Sequence, residues 1–445
     1  AEMLAGDTDM AKLCRFTSVL RRPFEPDDLE LMGFAAAAEI KNHLAFEPQP
    51  DGGFLLHPAI SSILESATGS KMARELHRTA AKFYLDDDND VAEGLHHLIE
   101  AEDFEDARGA ALAHSENMSS LPNQDELARC LGTLADRSPG DWTLLGMAAS
   151  ALDRTGKWKL AEELAGKVET GAQGTVLAYD ATLLRSNILS KTGRTGTAIK
   201  TLDRLIKAGK DPGMEVLAKA HYIKTCALRK SGKNSMAQKE CEMALSSSLM
   251  CGNRLLHAQC LMESAMIMSV QGRNAEAFEM LGRASETFVT SGNAMDRIRC
   301  GINLGMVLKG LERTAEAADE IERAIKLADD AGLSRMCAHG MANLTEILNM
   351  MKNYQRSEAL AREAAGIFSE LGEPVMLAVS KFNLGNALAG LGRKTEAAKA
   401  LDDALSILDE NGLTESRSQW VLDSATVFDS IGDTARAEAV RRKVN

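Results

Sequence analysis

Apolar and polar residues over the C-terminal two-thirds of the chain alternate with a helical period, and turn residues punctuate them at a fixed distance. Glycines stand at Gly252, Gly292, Gly332, Gly372 and Gly412, each 40 residues after the last. A second series marks another turn: Gly156, Gly193, Gly232, Gly272, then Glu312 and Lys352, then Gly392 and Gly432. Small residues keep register with this second series. Seven positions before each turn stand Ala149, Ser186, Thr225, Ala265, Gly305, Thr345, Gly385 and Ala425. Five positions after it stand Ala161, Ala198, Ala237, Ala277, Ala317, Ser357, Ala397 and Ala437. Glycine closes a helix because it tolerates a left-handed φ, and small side chains at matched heights let two helices approach closely. Two helices of about 17 residues and two short turns fill one period. The pattern therefore predicts an all-α fold, a helical-hairpin superhelix of about eight hairpins over residues 141–445.

Residues 8–70 do not follow this lattice. A helical stretch from Thr8 to Leu20 leads through RRPF (21–24) into PDDLELMGF and then AAAAEIKNHLAF. An extended piece follows, AFEPQP, with a turn at Asp51-Gly52-Gly53 and then FLLHP (54–58). Three helices followed by a glycine-turn hairpin is the order of a winged helix. The expected divisions are a winged-helix-like domain over 1–70, a helical connector over 71–140 and the repeat array over 141–445.

The run NLGNALAGLGRKTEAAKALDDAL (383–405) carries the small residue, turn glycine and paired alanines that resemble a tetratricopeptide (TPR) repeat. The period departs from that family's usual length of about 34 residues. Leu152, Leu189, Leu228, Met268, Leu308, Leu348 and Leu388 stand where the first helix commonly has an aromatic. In both respects the chain looks like the long-helix TPR variants of kinesin light chains and large regulatory ATPases. The string RRPF…DDLELMGF…DGGFLLHPAISSIL resembles the winged-helix module of STAND-class signalling ATPases, including maltose-activator-type regulators. Residues 75–112 resemble the helical connector found there. The resemblance implies a non-catalytic interaction or sensor region with its ATPase core upstream of Ala1. It also implies a nucleotide-sensing role for His57, which would contact the ADP phosphate, although Leu56 and Pro58 replace the flanking Met and Asp of the family motif. The alternative reading is a transcription regulator whose winged helix contacts DNA.

Charge argues against that alternative. The formal net charge is −13, which opposes sequence-wide attraction to nucleic acid or anionic membrane. The segment in the position of a recognition helix, 35–45, offers Lys41 against Glu39, and Arg15, Arg21 and Arg22 form the only basic cluster nearby. Proline is concentrated early, with five of the nine residues at Pro23, Pro26, Pro48, Pro50 and Pro58, and within 141–445 only Pro212 and Pro374 occur, so the long array has few helix breakers. The eight cysteines have no CxxC spacing, and Cys241, Cys251 and Cys260 among them read as packing residues of a reducing, cytoplasmic setting. No apolar run reaches the ~18 residues that span a bilayer.

No nucleophile–base pair, metal set or phosphate-cradling loop is recognisable, so an enzyme is not expected and no cofactor is implied. Glu93, His96, His97 and Glu100 share helical spacing that could suit a metal, but lacking a cysteine or third histidine nearby they read as a solvated helix face. The acidic run from Asp86 to Asp90 lacks the spacing of a calcium loop and reads as a connection between helices.

The strongest functional signal lies on the first helix of each hairpin, the one that lines the concave surface in such arrays. Nine residues before the turn stand Glu263, Asn303, Asn343, Asn383 and Asp423, and Gln259, Arg299, His339, Glu346, Asn386 and Gln419 share that face. An asparagine ladder can hydrogen-bond both the N–H and the C=O of an extended peptide. Duplication of a repeat whose solvated face tolerates asparagine explains the same spacing. The expected partner is a protein or peptide in this groove.

Overall fold

The computed structural model describes residues 8–50, 52–86, 90–119, 121–207, 213–291, 293–411 and 418–442. The chain divides into two compact units, one of residues 1–121 with 129–138 and one of residues 122–128 with 139–445.

In the first unit, α1 (Asp9–Thr17) is capped by Thr8, whose hydroxyl accepts from the Ala11 N–H at 3.2 Å. Helix α2 (Pro26–Leu31) starts on proline, which suits a position whose N–H has no partner anyway. The third helical segment, Ala35–Asn42, is a 3₁₀ helix and not the α-helix expected over 35–45. Its period of three puts Phe34, Ala37 and Ile40 on one face, and both Ala37 and Ile40 are buried. Strands β1 (Phe46–Pro48) and β2 (Phe54–Leu56) pair antiparallel with Phe46 opposite Leu56. Gly53 is required at the turn: its φ is +72°, and a Cβ there would lie 3.1 Å from the Phe24 carbonyl oxygen and from Pro23. Phe16, Phe24, Leu29, Ile40, Phe46, Leu56 and Tyr84 form one apolar core. Helices α3 (Pro58–Ala67), α4 (Ser70–Asp86), α5 (Val91–Glu100) and α6 (Phe104–Ala113) complete the unit, together with the later part of α7 (Gln124–Arg137).

The second unit is a stack of helical hairpins. The pairs are α8 (Trp142–Arg154) with α9 (Trp158–Gly171), α10 (Val176–Lys191) with α11 (Thr195–Lys207), and α12 (Met214–Lys230) with α13 (Asn234–Met250). They continue as α14 (Arg254–Val270) with α15 (Asn274–Ser291), α16 (Ala294–Gly310) with α17 (Thr314–Asp330), and α18 (Ser334–Met350) with α19 (Tyr354–Leu371). The last are α20 (Pro374–Gly390) with α21 (Lys394–Glu410) and α22 (Ser418–Ser430) with α23 (Thr434–Arg442). Successive first helices, the even-numbered ones, touch each other as well as their own partners.

The lattice residues sit where their sizes require. Every small residue that precedes or follows the second turn series is buried. At Gly305 an added Cβ would lie 2.4 Å from Ile321, and at Gly385 it would lie 2.7 Å from Leu401, so the helices of these pairs meet where a side chain has no room. Left-handed φ persists through the whole turn series, including Glu312 and Lys352 at +61° each. That conformation costs a residue with a Cβ about 1 kcal/mol, so repeat geometry overrides local preference at these two turns. Gly292 and Gly412 lie outside the described residues. None of the described helices is long and apolar enough to cross a membrane.

The candidate binding wall inside the repeat array

The even-numbered helices carry a connected polar network on their inner face. Glu263 of α14 is 2% exposed and takes the Arg229 Nε of α12 at 2.8 Å and the Arg299 Nη2 of α16 at 3.3 Å. Burial alone would raise the Glu263 carboxyl, but the two guanidinium groups hold it down at about 2. Arg299 also reaches the Tyr222 hydroxyl at 3.4 Å and Asp296 at 3.4 Å, and burial pushes the Tyr222 phenol well above its ordinary value. Gln259 donates to Asp296 Oδ2 at 2.7 Å. On α10, Lys191 pairs with Asp153 of α8 at 2.7 Å. On α18, Arg335 pairs with Glu373 at 2.5 Å, and His339 Nε2 lies 3.7 Å from the same carboxylate.

The wall curves until early and late hairpins meet. The N–H of Gln124 donates to the Ala331 carbonyl at 3.1 Å, and that of Asp125 to the Gly332 carbonyl at 3.1 Å. Ser334 Oγ donates to Asp125 Oδ2 at 2.6 Å. Gly332 admits this approach because it has no side chain: a Cβ there would lie 2.7 Å from the Asn123 Cα. Nearby, the Arg335 guanidinium lies 4.7 Å over the Trp158 ring, and Arg154 Nε donates to Gln124 Oε1 at 2.7 Å.

The residues expected to form a ladder have different surroundings. Gln259, Glu263 and Arg299 belong to the network. Asn303 is half-buried. Asn343 donates to the His339 carbonyl of its own helix at 2.7 Å, and Asn386 does the same to Phe382 at 3.1 Å. Asn383 is buried and bridges to α18, donating to the Ala342 carbonyl and the Thr345 hydroxyl at 3.0 Å each. Glu346 accepts from Lys309 at 2.7 Å, and Asp423 is half-buried. The Gln419 side chain lies outside what the structure describes.

Tyr222, Arg229, Lys191, Asp153, Arg335 and Glu373 were not singled out by sequence, yet a signal for several existed. Opposite charges that face one another across neighbouring first helices stand slightly less than one period apart: Arg229 and Glu263 by 34 residues, Arg299 and Glu263 by 36, and Lys191 and Asp153 by 38.

In the first unit, His57 caps α3 through Nδ1, which accepts from the Ala59 N–H at 3.2 Å, while Nε2 lies 3.3 Å from Glu47. Arg21 pairs with the buried Glu93 at 2.8 Å, and Arg22 pairs with Asp90 and Glu93. His96 meets Arg129 at 2.6 Å and His97 meets His77 at 2.9 Å. Glu93, His96 and His97 are buried, not on the solvated helix face expected for them, and each is turned toward its own partner; among the described residues no group of three His, Cys, Asp or Glu is arranged to hold a metal ion. Burial raises the Cys226, Cys241, Cys300 and Cys337 thiols to about 12.

The tetratricopeptide-repeat family model matches residues 378–407, inside α20 and α21. The solved Cut9 chain of an APC/C hetero-tetramer, Cut9–Hcn1, is similar in fold, with a TM-score of 0.56 and 16% identity over 86% of this chain and 72% of that one. The repeat array is a TPR-like helical superhelix. Two further structures align: a Rap protein complexed with competence and sporulation factor (TM-score 0.48, 14% identity, 68% of this chain and 96% of that one) and a STAND protein with a tetratricopeptide-repeat sensor from Pyrococcus horikoshii (0.45, 13%, 93% and 66%). No curated protein matches the sequence.

Proposed function

We propose that the array is a non-catalytic protein-interaction scaffold that holds an extended segment of a partner protein or peptide along its even-numbered helices. The polar inner wall carries this reading. Its charged groups are fixed by one another across consecutive hairpins, which presents a pre-ordered surface at little entropic cost to a binder. Repeats of this kind serve as interaction scaffolds, and a ligand in the groove that favours one spacing of the hairpins would shift the population of the stack toward it. Residues 1–70, with their order of three helices and a hairpin, are read as a winged-helix-like module, and 71–140 as the connector of a STAND-type regulator with His57 as its nucleotide contact.

Peptides selected from a random displayed library against the full chain provide the test. Joint replacement of Gln259, Asn303 and Asn343 by Ala is expected to abolish their binding while the far-ultraviolet dichroism stays unchanged. Binding that survives the triple replacement contradicts the assignment of this wall. The DNA-contact reading gains nothing from charge, because Arg21 and Arg22 are neutralised by Glu93 and Asp90. A salt-sensitive shift of a nonspecific duplex would revive it.

A further inference from the structure

Three histidines crowd together in the first unit. His96 and His97 of α5 are buried, and His77 of α4 is half-buried against them. Nδ1 of His77 lies 2.9 Å from Nδ1 of His97. The His97 ring centroid is 5.1 Å from that of His77 and 5.0 Å from that of His96, while 6.4 Å separates His77 from His96. Tyr84 of α4 stacks on His97 at 5.4 Å. From the later part of α7, Arg129 brings Nη2 to 2.6 Å from His96 Nδ1.

These contacts fix the protonation of the rings by geometry. A guanidinium only donates, so His96 Nδ1 accepts and that ring is neutral. Two ring nitrogens 2.9 Å apart share one proton, so at least one of His77 and His97 is neutral as well. Charging His96 would set its N–H against that of Arg129. Charging both His77 and His97 would set their two N–H groups against each other.

The charged groups around the cluster do not offset such a proton. Glu93 of α5 is taken by Arg21 and Arg22, and Asp90 at the start of α5 by Arg22. On α4, Arg74 pairs with Glu102 and Arg78 with Asp103, just ahead of α6. On α7, Arg129 adds positive charge, and Arg137 lies over the Phe104 ring of α6. Burial lowers the His77 imidazole below its ordinary 6.5, and His96 and Arg21 lower it further, against the upward pull of Glu100. A histidine lowered in this way gains its proton on unfolding. Its contribution to stability is therefore present above about pH 6.5 and is lost as pH falls below that.

We infer that His77, His96 and His97 form a proton-sensitive lock in the first unit: proton uptake by these rings breaks the packing of α4, α5 and the later part of α7. The lock is closed at neutral pH and opens in mild acid, the range in which histidine charge changes. The inner wall of the array does not respond there, because Glu263 is held at about 2 and stays ionised.

Hydrogen exchange on the full chain tests this at about pH 7.5 and about pH 5.5, with each rate divided by its intrinsic value at that pH. Amides of residues 91–100 and 129–137 should lose protection at least about tenfold at the lower pH. Those of α14 and α16 should keep theirs. His96→Gln retains an acceptor for Arg129 without a basic nitrogen, and His77→Gln removes the basic nitrogen beside His97. With one ring fewer to charge, each variant should cut the loss to about threefold. His77 is half-buried, so its variant keeps the test open if His96→Gln does not fold. Equal protection of the parent at both pH values overturns the lock. So does a loss of the same size in the parent and both variants, or one that extends equally to α14 and α16.

Discussion

The array uses one type of ion pair in two ways. On the starts of the odd-numbered helices, Arg273 with Glu276, Arg313 with Glu316 and Arg393 with Glu396 repeat the same pairing three residues apart, with side chains 41–58% exposed. On the inner wall, Arg229 and Glu263 come from neighbouring hairpins and Glu263 is 2% exposed. The Arg273–Glu276 and Arg313–Glu316 pairs recur with the lattice and satisfy one helix each, while Arg393 also reaches Glu358 of α19. The inner pairs join different hairpins and fix the spacing between them. Exposed pairs add little to stability, while removal of one partner from a buried pair strands the other.

That contrast can be broken by mutation. The largest effect is expected for Glu263→Ala, which leaves Arg229 and Arg299 facing each other. It should cost about 3 kcal/mol in a urea melt. A loss close to zero would mean that the inner network contributes no more than the outer pairs.

Acid should act through the same carboxylate. Glu263 is held at about 2 in the folded chain against an ordinary value of 4.5, so its contribution is present above about pH 4.5 and is lost as pH falls from there toward 2. Melts between pH 5 and 3 should show a smaller slope in Glu263→Gln than in the parent.

Gly332→Ala comes next, with an expected loss of about 2 kcal/mol from left-handed strain and the approach of Asn123. A tolerated alanine would show that the junction of 122–125 with 331–334 opens in solution. Arg313→Ala should leave the thermal midpoint unchanged, which differential scanning fluorimetry can check. A clear drop would erase the distinction between the two faces.

What could be read from sequence follows the same division. The turns and the small residues repeat because each hairpin must fit the next, so spacing alone exposed them, even where Glu312 and Lys352 replace glycine. The 3₁₀ segment at Ala35–Asn42 was hidden, since four alanines suit either helix and burial of Ala37 and Ile40 decides. Inner-wall residues were legible in part. Gln259, Glu263 and Arg299 stood at repeat positions, but Asn383 shares the spacing of Asn303 and turns into a contact between helices. The junction of Asp125 with Ser334 had no local signal at all, because it depends on the summed rotation of the intervening hairpins across 209 residues.

Hydrogen exchange on the full chain, with and without a saturating peptide selected from the displayed library, tests the central claim most directly. The account predicts slowed exchange in the even-numbered helices from α8 to α18, greatest near Gln259, Asn303 and Asn343, with the odd-numbered helices unchanged. Protection confined to the odd-numbered helices, or to residues 8–119, would contradict it.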